Sequence, residues 1–160
     1  MGNVLMEKEA SLLLDQLMNE KKSPELDCQL KLLRREIVTK PVILIGAGTC
    51  GLGAGAAKVI EAVRRYILKN LVEAEILEVG CIGLCSMEPI LDVQLPGKNR
   101  VSFGHVTADQ IDDILDSLLQ GNLPLAKVLY QFVTSDDAVW NEVPSFTNHP
   151  FFLWFSHQLT

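Results

Sequence analysis

Three of the four cysteines have the neighbours and the spacing that a metal site needs. Cys50 follows a short apolar run by five residues, and Cys81 and Cys85 form a C-x3-C pair directly after a second such run. Both runs are typical of parallel strands, and functional groups collect at the carboxyl ends of the strands in an open α/β sheet. We therefore expect the three thiols to meet at one edge of the sheet. The alternative is that they fill gaps in the core, as free cysteines often do.

The surroundings of these cysteines favour the ligand interpretation. Cys50 lies near the start of a predicted helix, where the positive end of the helix dipole favours a thiolate. Glycine lets the backbone approach closely and direct amide groups at sulfur, and such amides tune iron–sulfur centres. Glycines stand at six positions beside the cysteines: Gly46, Gly48, Gly51, Gly53, Gly80 and Gly83.

The other metal-binding side chains do not complete a set of four ligands. Cys28 lies in a helical segment 22 residues before Cys50, and nothing in that spacing supports a ligand role. His105 precedes a helix cap and is either a surface residue or a fourth ligand, with the surface interpretation favoured. His149 and His157 are scattered.

A competing pattern overlaps the first cysteine. Gly46-x-Gly48-x-x-Gly51 stands between a strand and a helix, which is the context of a dinucleotide site. However, Glu78 comes 27 residues after Gly51, whereas a ribose-binding acid is expected about 20 residues on. The hairpin predicted after the second strand also breaks a Rossmann βαβαβ unit. We therefore predict no NAD site here, and no P-loop sequence occurs.

The elements that must position the cysteines follow from periodicity and turn signals. Thr107 to Gln110 has capping-box spacing and opens a helix that carries Ile111, Ile114, Leu115 and Leu118 on one face, and Gly121 is placed to end it. The whole pattern is a strand at 41–45, a helix at 52–69, a strand at 75–79, a hairpin of 89–95 with 100–104, and that last helix. We predict a four-strand mixed sheet with two helices packed on it, and a further short strand at 126–133.

Both ends of the chain carry additional apolar segments. Residues 3–37 show leucines at helical spacing on either side of Ser23-Pro24, which predicts an N-terminal helical hairpin. The C-terminal segment has five large aromatic residues within ten positions, and these would form too large a patch if left in water. We expect this tail to pack against the helical hairpin or against a second copy of the chain. The five are Phe146, Phe151, Phe152, Trp154 and Phe155.

Composition excludes several classes of protein. The chain has 160 residues, 48% of them apolar, and a net charge of −6. This length corresponds to one domain with extensions, and the acidic balance argues against nucleic-acid binding. No apolar run is long enough to insert in a membrane, and acidic residues near the N-terminus argue against a signal peptide. We therefore expect a cytoplasmic protein.

The pattern Cys50-x30-Cys81-x3-Cys85 resembles the last three ligands of the thioredoxin-like [2Fe-2S] ferredoxins. Within that family the sequence is most similar to the N-terminal domain of the NADH-binding flavoprotein subunit. This subunit occurs in complex I-like NADH dehydrogenases and in NAD(P)-linked electron-bifurcating hydrogenases. The resemblance covers about 41–132 and rests on Gly48-Thr49-Cys50-Gly51, Gly80-Cys81-Ile82-Gly83-Leu84-Cys85, Glu88-Pro89, Phe103-Gly104-His105-Val106-Thr107 and Gly121-Asn122-Leu123-Pro124. Pro144 and the segment 149–152 resemble the linker that leads to the flavin domain in those subunits.

The resemblance implies a thioredoxin-like α/β fold, in β-α-β-β-β-α order with a mixed sheet, over 41–132. The N-terminal hairpin would occupy 1–40, and a linker with the aromatic tail 133–160. Cys50, Cys81 and Cys85 would bind a [2Fe-2S] cluster, and the domain would pass electrons within an NAD(P)H-linked oxidoreductase or hydrogenase. Flavoprotein or hydrogenase subunits would be its partners, and the chain would form a homodimer.

Two departures from the family pattern change these expectations. Ile45 stands where the relatives with four ligands carry their first cysteine, so the fourth ligand is not identified. The FMN/NADH motif is absent, and we therefore expect no FMN or NAD site and no catalysis by this chain alone. Two alternatives follow: a cluster-free thioredoxin-like domain that docks partner subunits, and a thiol-redox protein with a Cys81–Cys85 disulfide.

Overall fold

The computed structural model describes residues 24–124, 127–133 and 138–156. The chain divides into two compact units, 1–37 and 38–160. In the N-terminal unit, helix α1 (Pro24–Leu33) begins at the predicted proline. It ends before Ile37 because Arg35 adopts a positive φ of 55° and the Glu36 N–H turns back to the Lys31 carbonyl at 2.9 Å, which is a common way to end a helix. The other predicted helix of the hairpin lies outside the described residues.

The larger unit is built on a five-stranded mixed sheet in the order β2-β1-β3-β4-β5. Strands β1 and β2 are parallel, and the pairs β1–β3, β3–β4 and β4–β5 are antiparallel. This topology confirms the predicted parallel start and hairpin, and it is not the all-parallel order of a Rossmann fold. The strands are β1 (Val42–Gly46), β2 (Glu75–Val79), β3 (Leu91–Gln94), β4 (Arg100–Phe103) and β5 (Val128–Phe132).

Two longer helices cover one face of the sheet and form the main core. Helix α3 (Ala56–Asn70) and helix α4 (Ile111–Leu119) both contribute buried apolar residues to it. Because side chains alternate along a strand, every second strand residue faces these helices. The strand residues in this core are Ile43, Ile45, Leu91, Val93, Val101 and Phe103.

The helix that follows β1 differs from the prediction of one continuous helix over 52–69. It is divided into helix α2 (Thr49–Ala54) and α3 by Gly55, whose φ of +110° favours glycine. The break gives Cys50 its own short helix at the end of β1. Helix α4, by contrast, begins and ends as predicted. The Thr107–Gln110 capping box is formed, and Gly121 follows the helix with a φ of +82°.

The opposite face of the sheet carries the described part of the aromatic tail, whereas the side chains of Trp154 and Phe155 lie outside the described residues. Helix α5 (Pro150–Ser156) and the turn before it bring Phe146, Phe151 and Phe152 against Tyr130 of β5. Phe146 stacks on Phe132 at 4.8 Å between ring centroids, and Tyr130 meets Phe152 edge-on at 5.7 Å. These rings therefore bury their surface within their own unit, on a strand that raises the predicted four-strand sheet to five.

The segment between β5 and the tail is held by one buried side chain. Gln131, 1% exposed, makes four hydrogen bonds. Its amide nitrogen donates to the carbonyls of Trp140 and Val143, both at 2.8 Å. Its amide oxygen accepts from the Trp140 N–H at 2.9 Å and the Asn99 side chain at 3.2 Å. All the donors and acceptors of this amide are therefore used.

None of the described helices combines the length and the apolar character that a membrane crossing requires.

Candidate metal centre

The parallel pairing of β1 and β2 determines where the cysteines lie. Gly46 and Val79, the last residues of the two strands, are register partners. The Ala47 N–H continues the pairing by donating to the Val79 carbonyl at 2.8 Å. The segments that follow both strands therefore leave the sheet side by side, with Cys50 in α2 after β1 and Cys81 in the loop after β2.

The three predicted thiols meet at this edge. The sulfur atoms of Cys50, Cys81 and Cys85 lie within 4.8 Å of one another. All three residues are exposed. The Cys81 and Cys85 sulfurs are 3.4 Å apart, which is closer than the roughly 4–7 Å expected for two cysteines that bind one metal centre. The convergence of the thiols is confirmed, and their interpretation as core residues is wrong.

Two glycines make this approach possible. A Cβ on Gly48 would lie 3.1 Å from the Cys81 nitrogen and 3.2 Å from the Cys81 Cβ, so a side chain there would push the two loops apart. Gly83 adopts a φ of +89°, and its N–H donates to the Cys81 sulfur at 3.2 Å. An N–H directed at sulfur stabilises negative charge on it.

A buried carboxylate lies behind the segment that follows β1, and no sequence pattern points to it. Glu88 is 6% exposed, and its carboxylate accepts the Ile90 N–H at 2.8 Å. The carboxylate would lie only 2.8 Å from a Cβ on Gly46 and 3.2 Å from one on Gly51. The two glycines therefore give Glu88 its space. The only sequence signal was the Glu88-Pro89 dipeptide before β3.

Asp92 is a second acid on the same side of the sheet, and it lines a small cleft together with Glu88. It accepts a hydrogen bond from the Ser102 hydroxyl and pairs with Arg100 at 3.6 Å. Burial raises the pKa of Asp92 above its usual value, and the charge of Arg100 opposes that shift. The paired strands β3 and β4 therefore place the ionisable groups of Asp92 and Arg100 on this side of the sheet.

A fourth ligand is not found among the described residues. No described His, Asp or Glu joins the three cysteines within their 4.8 Å group. His105 is exposed, and its backbone N–H donates to the Met87 carbonyl at 2.8 Å. Ile45 is fully buried in the helix-side core, so the strand uses this position for packing.

The remaining candidates contribute elsewhere. Cys28 is an exposed residue of α1 in the N-terminal unit. The His149 ring contacts Tyr130 edge-on at 5.5 Å, and its Nδ1 accepts the Phe151 N–H at 3.3 Å. His157 lies outside the described residues.

The mixed sheet, with three converging thiols after its parallel strands, has a thioredoxin-like α/β fold. A thioredoxin-like [2Fe-2S] ferredoxin from Aquifex aeolicus has the same fold, with a TM-score of 0.50 and 19% identity. That match covers 61% of this chain and 96% of the ferredoxin. The thioredoxin-like α/β fold expected from the sequence is therefore confirmed.

Among curated proteins, this chain is similar to the NADP-reducing hydrogenase subunit HndB of Solidesulfovibrio fructosivorans. The two are 28% identical over 108 residues, which is 62% of this chain and 86% of HndB. No family model matches the chain. The two similarities confirm the resemblance to thioredoxin-like [2Fe-2S] ferredoxins that the cysteine pattern indicated.

Proposed function

We propose that this chain is an electron-transfer module of an NAD(P)H-linked oxidoreductase or hydrogenase. Cys50, Cys81 and Cys85 would hold a [2Fe-2S] cluster, which supplies one-electron transfer when bound. The observation that carries the proposal is the convergence of three exposed sulfurs within 4.8 Å. The similarity to a hydrogenase subunit supports the enzyme context.

The chemistry of the site supports iron–sulfur binding. Thiolates are the usual ligands of [2Fe-2S] clusters, and hydrogen bonds to sulfur and nearby charge set their potentials. The Gly83 N–H on the Cys81 sulfur provides one such hydrogen bond. The buried carboxylate of Glu88 provides a nearby negative charge. Three of the usual four ligand positions are filled by this set.

The surface around the sulfurs supports docking of a partner protein. No charged residue occurs in 46–57 or 79–87, although the chain carries a net charge of −6. Leu52 and Ile82, which neighbour two of the cysteines, are 51% and 45% exposed. An uncharged surface with exposed apolar side chains is typical of a contact that excludes water. Flavoprotein or hydrogenase subunits are the proposed partners, and a cytoplasmic homodimer is the proposed state.

Anaerobic purification followed by reconstitution with iron and sulfide tests the proposal. We expect a brown protein with two iron atoms per centre and a paramagnetic signal after one-electron reduction. Serine at Cys50, Cys81 or Cys85 should remove or strongly reduce the iron content. The matched control is Cys28→Ser, which should leave it unchanged. A colourless parent protein without iron would contradict the proposal.

A second candidate is a cluster-free interaction domain, and one observation favours it. Four ligands are usual for a [2Fe-2S] centre, whereas three cysteines converge here. This domain would use the same uncharged face to bind a partner subunit. A colourless protein that still binds a flavin or hydrogenase subunit would favour this second function.

A further inference from the structure

The loop that carries two of the three thiols is anchored on the C-terminal helix. Between Cys81 and Cys85, Leu84 is 3% exposed and belongs to the apolar cluster on the tail side of the sheet. Phe151 of α5 packs against the same cluster, and so does Met87, in the turn that Cys85 begins. The loop therefore shares its apolar contacts with the tail, while its two sulfurs remain exposed.

The ring of Phe151 lies beside the glycine of this loop. A Cβ built on Gly83 would lie 3.9 Å from Phe151 Cζ, which is ordinary van der Waals contact. Gly83 donates its N–H to the Cys81 sulfur at 3.2 Å, and its φ of +89° is a conformation that glycine holds at little cost. Removing the ring would give this flexible residue room to move, and its hydrogen bond to the sulfur would weaken.

Phe151 is itself fixed at the start of α5. Its backbone N–H donates to His149 Nδ1 at 3.3 Å, and its ring meets that of Phe152 edge-on at 5.1 Å. Phe152 in turn contacts the rings of Phe146 and of Tyr130, a residue of β5. Because closely packed side chains transmit strain and resist displacement, these rings connect the sheet to the cysteine loop.

We propose that Phe151 is a positioning residue for the cysteine site. By packing against Gly83, it holds the 81–85 loop in the conformation in which the two sulfurs of the loop meet that of Cys50. The inference rests on the proposed function, in that it takes these thiols to bind metal. Ligands bind a metal tightly only when the surrounding residues hold them in place. Loss of the ring should therefore weaken metal binding in a chain that stays folded.

Titration of the full chain with cobalt ion, in oxygen-free buffer with a phosphine reductant, tests this inference without an assembled cluster. The absorbance of cobalt–thiolate bonds reports binding, and Cys81→Ser identifies the part that arises from this site. We expect Phe151→Ala to raise the cobalt dissociation constant about tenfold or more, as for other residues that orient metal ligands. Phe151→Leu keeps an apolar side chain there and should raise it much less.

The iron–sulfur form provides a second readout. An N–H directed at sulfur stabilises negative charge on it, so weakening the Gly83 hydrogen bond disfavours the reduced centre. The reduction potential of the reconstituted protein should therefore fall in Phe151→Ala. An unchanged or higher potential would contradict the positioning role.

The matched control is Leu118→Ala, because Leu118 is 1% exposed in the helix-side core and lies outside the tail cluster. It should lower the unfolding free energy at least as much as Phe151→Ala, and leave cobalt affinity unchanged. Parent-like cobalt affinity in Phe151→Ala, or an equal loss in Leu118→Ala, would overturn the inference and leave the proposed function standing. If the parent binds cobalt but takes up no iron and sulfide, the proposed function fails and the cobalt affinities still decide the inference. Absence of cobalt binding by the parent would overturn both. A loss confined to Phe151→Ala would support the inference.

Discussion

At the scale of single residues, Glu88 is a buried acid beside the loop that leads to Cys50. Its buried carboxylate lies behind the β1–α2 junction that leads to Cys50. Removing one negative charge near an iron–sulfur centre favours its reduced form, which carries the additional electron. We therefore expect Glu88→Gln to raise the reduction potential of the reconstituted protein, with the Ile90 N–H still accepted by the amide oxygen.

Protein-film or spectroscopic redox titration measures this potential. The matched control is Glu78→Gln, since Glu78 is about half exposed and pairs with Arg64 at 2.8 Å. The control should leave the potential close to that of the parent protein, because solvent screens an exposed charge. A lower potential in Glu88→Gln would contradict the assigned electrostatic role.

The raised pKa values of the two tyrosines predict how the unfolding free energy changes at alkaline pH. Burial, followed by the hydrogen bond to Asp116 at 2.5 Å, raises the pKa of Tyr66 to about 12. Burial, followed by the charge of Asp92, raises the pKa of Tyr130 to about 12 as well. The unfolded chain loses these protons near the ordinary pKa of 10.0. The tyrosine contribution to stability is therefore fully present below about pH 10 and is lost as the pH rises through 12.

Urea unfolding on either side of about pH 10 measures this loss. Tyr66→Phe should reduce the decline in unfolding free energy, because phenylalanine has no proton to lose. Titration of tyrosinate absorbance provides a direct check on the native protein. A native absorbance change centred at pH 10, as in the unfolded chain, would show that neither hydroxyl is protected.

At the scale of elements, Gln131 connects β5 to the segment that follows it. Its amide makes four hydrogen bonds in a buried setting. Truncation leaves buried polar groups of Trp140, Val143 and Asn99 without these partners, and each such group costs about 1–3 kcal/mol. We expect Gln131→Ala to lower the unfolding free energy by about 3 kcal/mol or more.

Chemical denaturation measures this effect, with the exposed Gln120→Ala as the control. A surface substitution of that kind changes stability by about 0.5 kcal/mol or less. Equal effects of the two substitutions would show that the buried network does not hold the segment.

Helix α5 offers a second test at this scale, because two adjacent residues have different environments. Phe152 packs against the Tyr130 cluster, with its ring 3.9 Å from that of Phe146. Leu153 is 42% exposed. We expect Phe152→Ala to cost about 3 kcal/mol, at the lower end of the range for buried phenylalanine. Leu153→Ala should cost well under half of that by the same denaturation measurement, and the reverse order would contradict the docking of the tail.

At the scale of the whole molecule, the uncharged face around the cysteines should determine partner binding. A charge placed on this face would have to be desolvated in a complex. We expect Leu52→Glu or Ile82→Glu to weaken binding of a flavin or hydrogenase subunit at least tenfold, which corresponds to about 1.4 kcal/mol. Iron content should not change, because neither side chain is a ligand.

Isothermal titration or co-purification with the candidate subunit measures this binding. Leu68→Glu is the control, since Leu68 is 76% exposed and lies 12 residues beyond the start of α3, about 18 Å along the helix. Equal weakening by the control would indicate a nonspecific effect of charge. Sedimentation of the parent protein tests the homodimer expected from the family resemblance.

The sequence alone determined the local elements and the candidate ligands. Capping residues, turn residues and apolar periodicity are local signals, so the hairpin and helix α4 were predictable. The C-x3-C pair and the carboxyl-end rule were sufficient to predict that Cys50 joins Cys81 and Cys85. The break at Gly55 was missed, because the apolar period continues through it.

Only the tertiary structure decided what each apolar and buried polar group contacts. The five aromatic residues of the tail predict that it must be covered, and the structure shows that Phe146, Phe151 and Phe152 pack against Tyr130. Burial can be satisfied by any apolar surface, so the sequence specifies that the tail must be covered but does not specify by what. Glu88 was missed for a related reason: its burial arises when the loop after β2 folds over Gly46 and Gly51, a contact between segments distant in the chain.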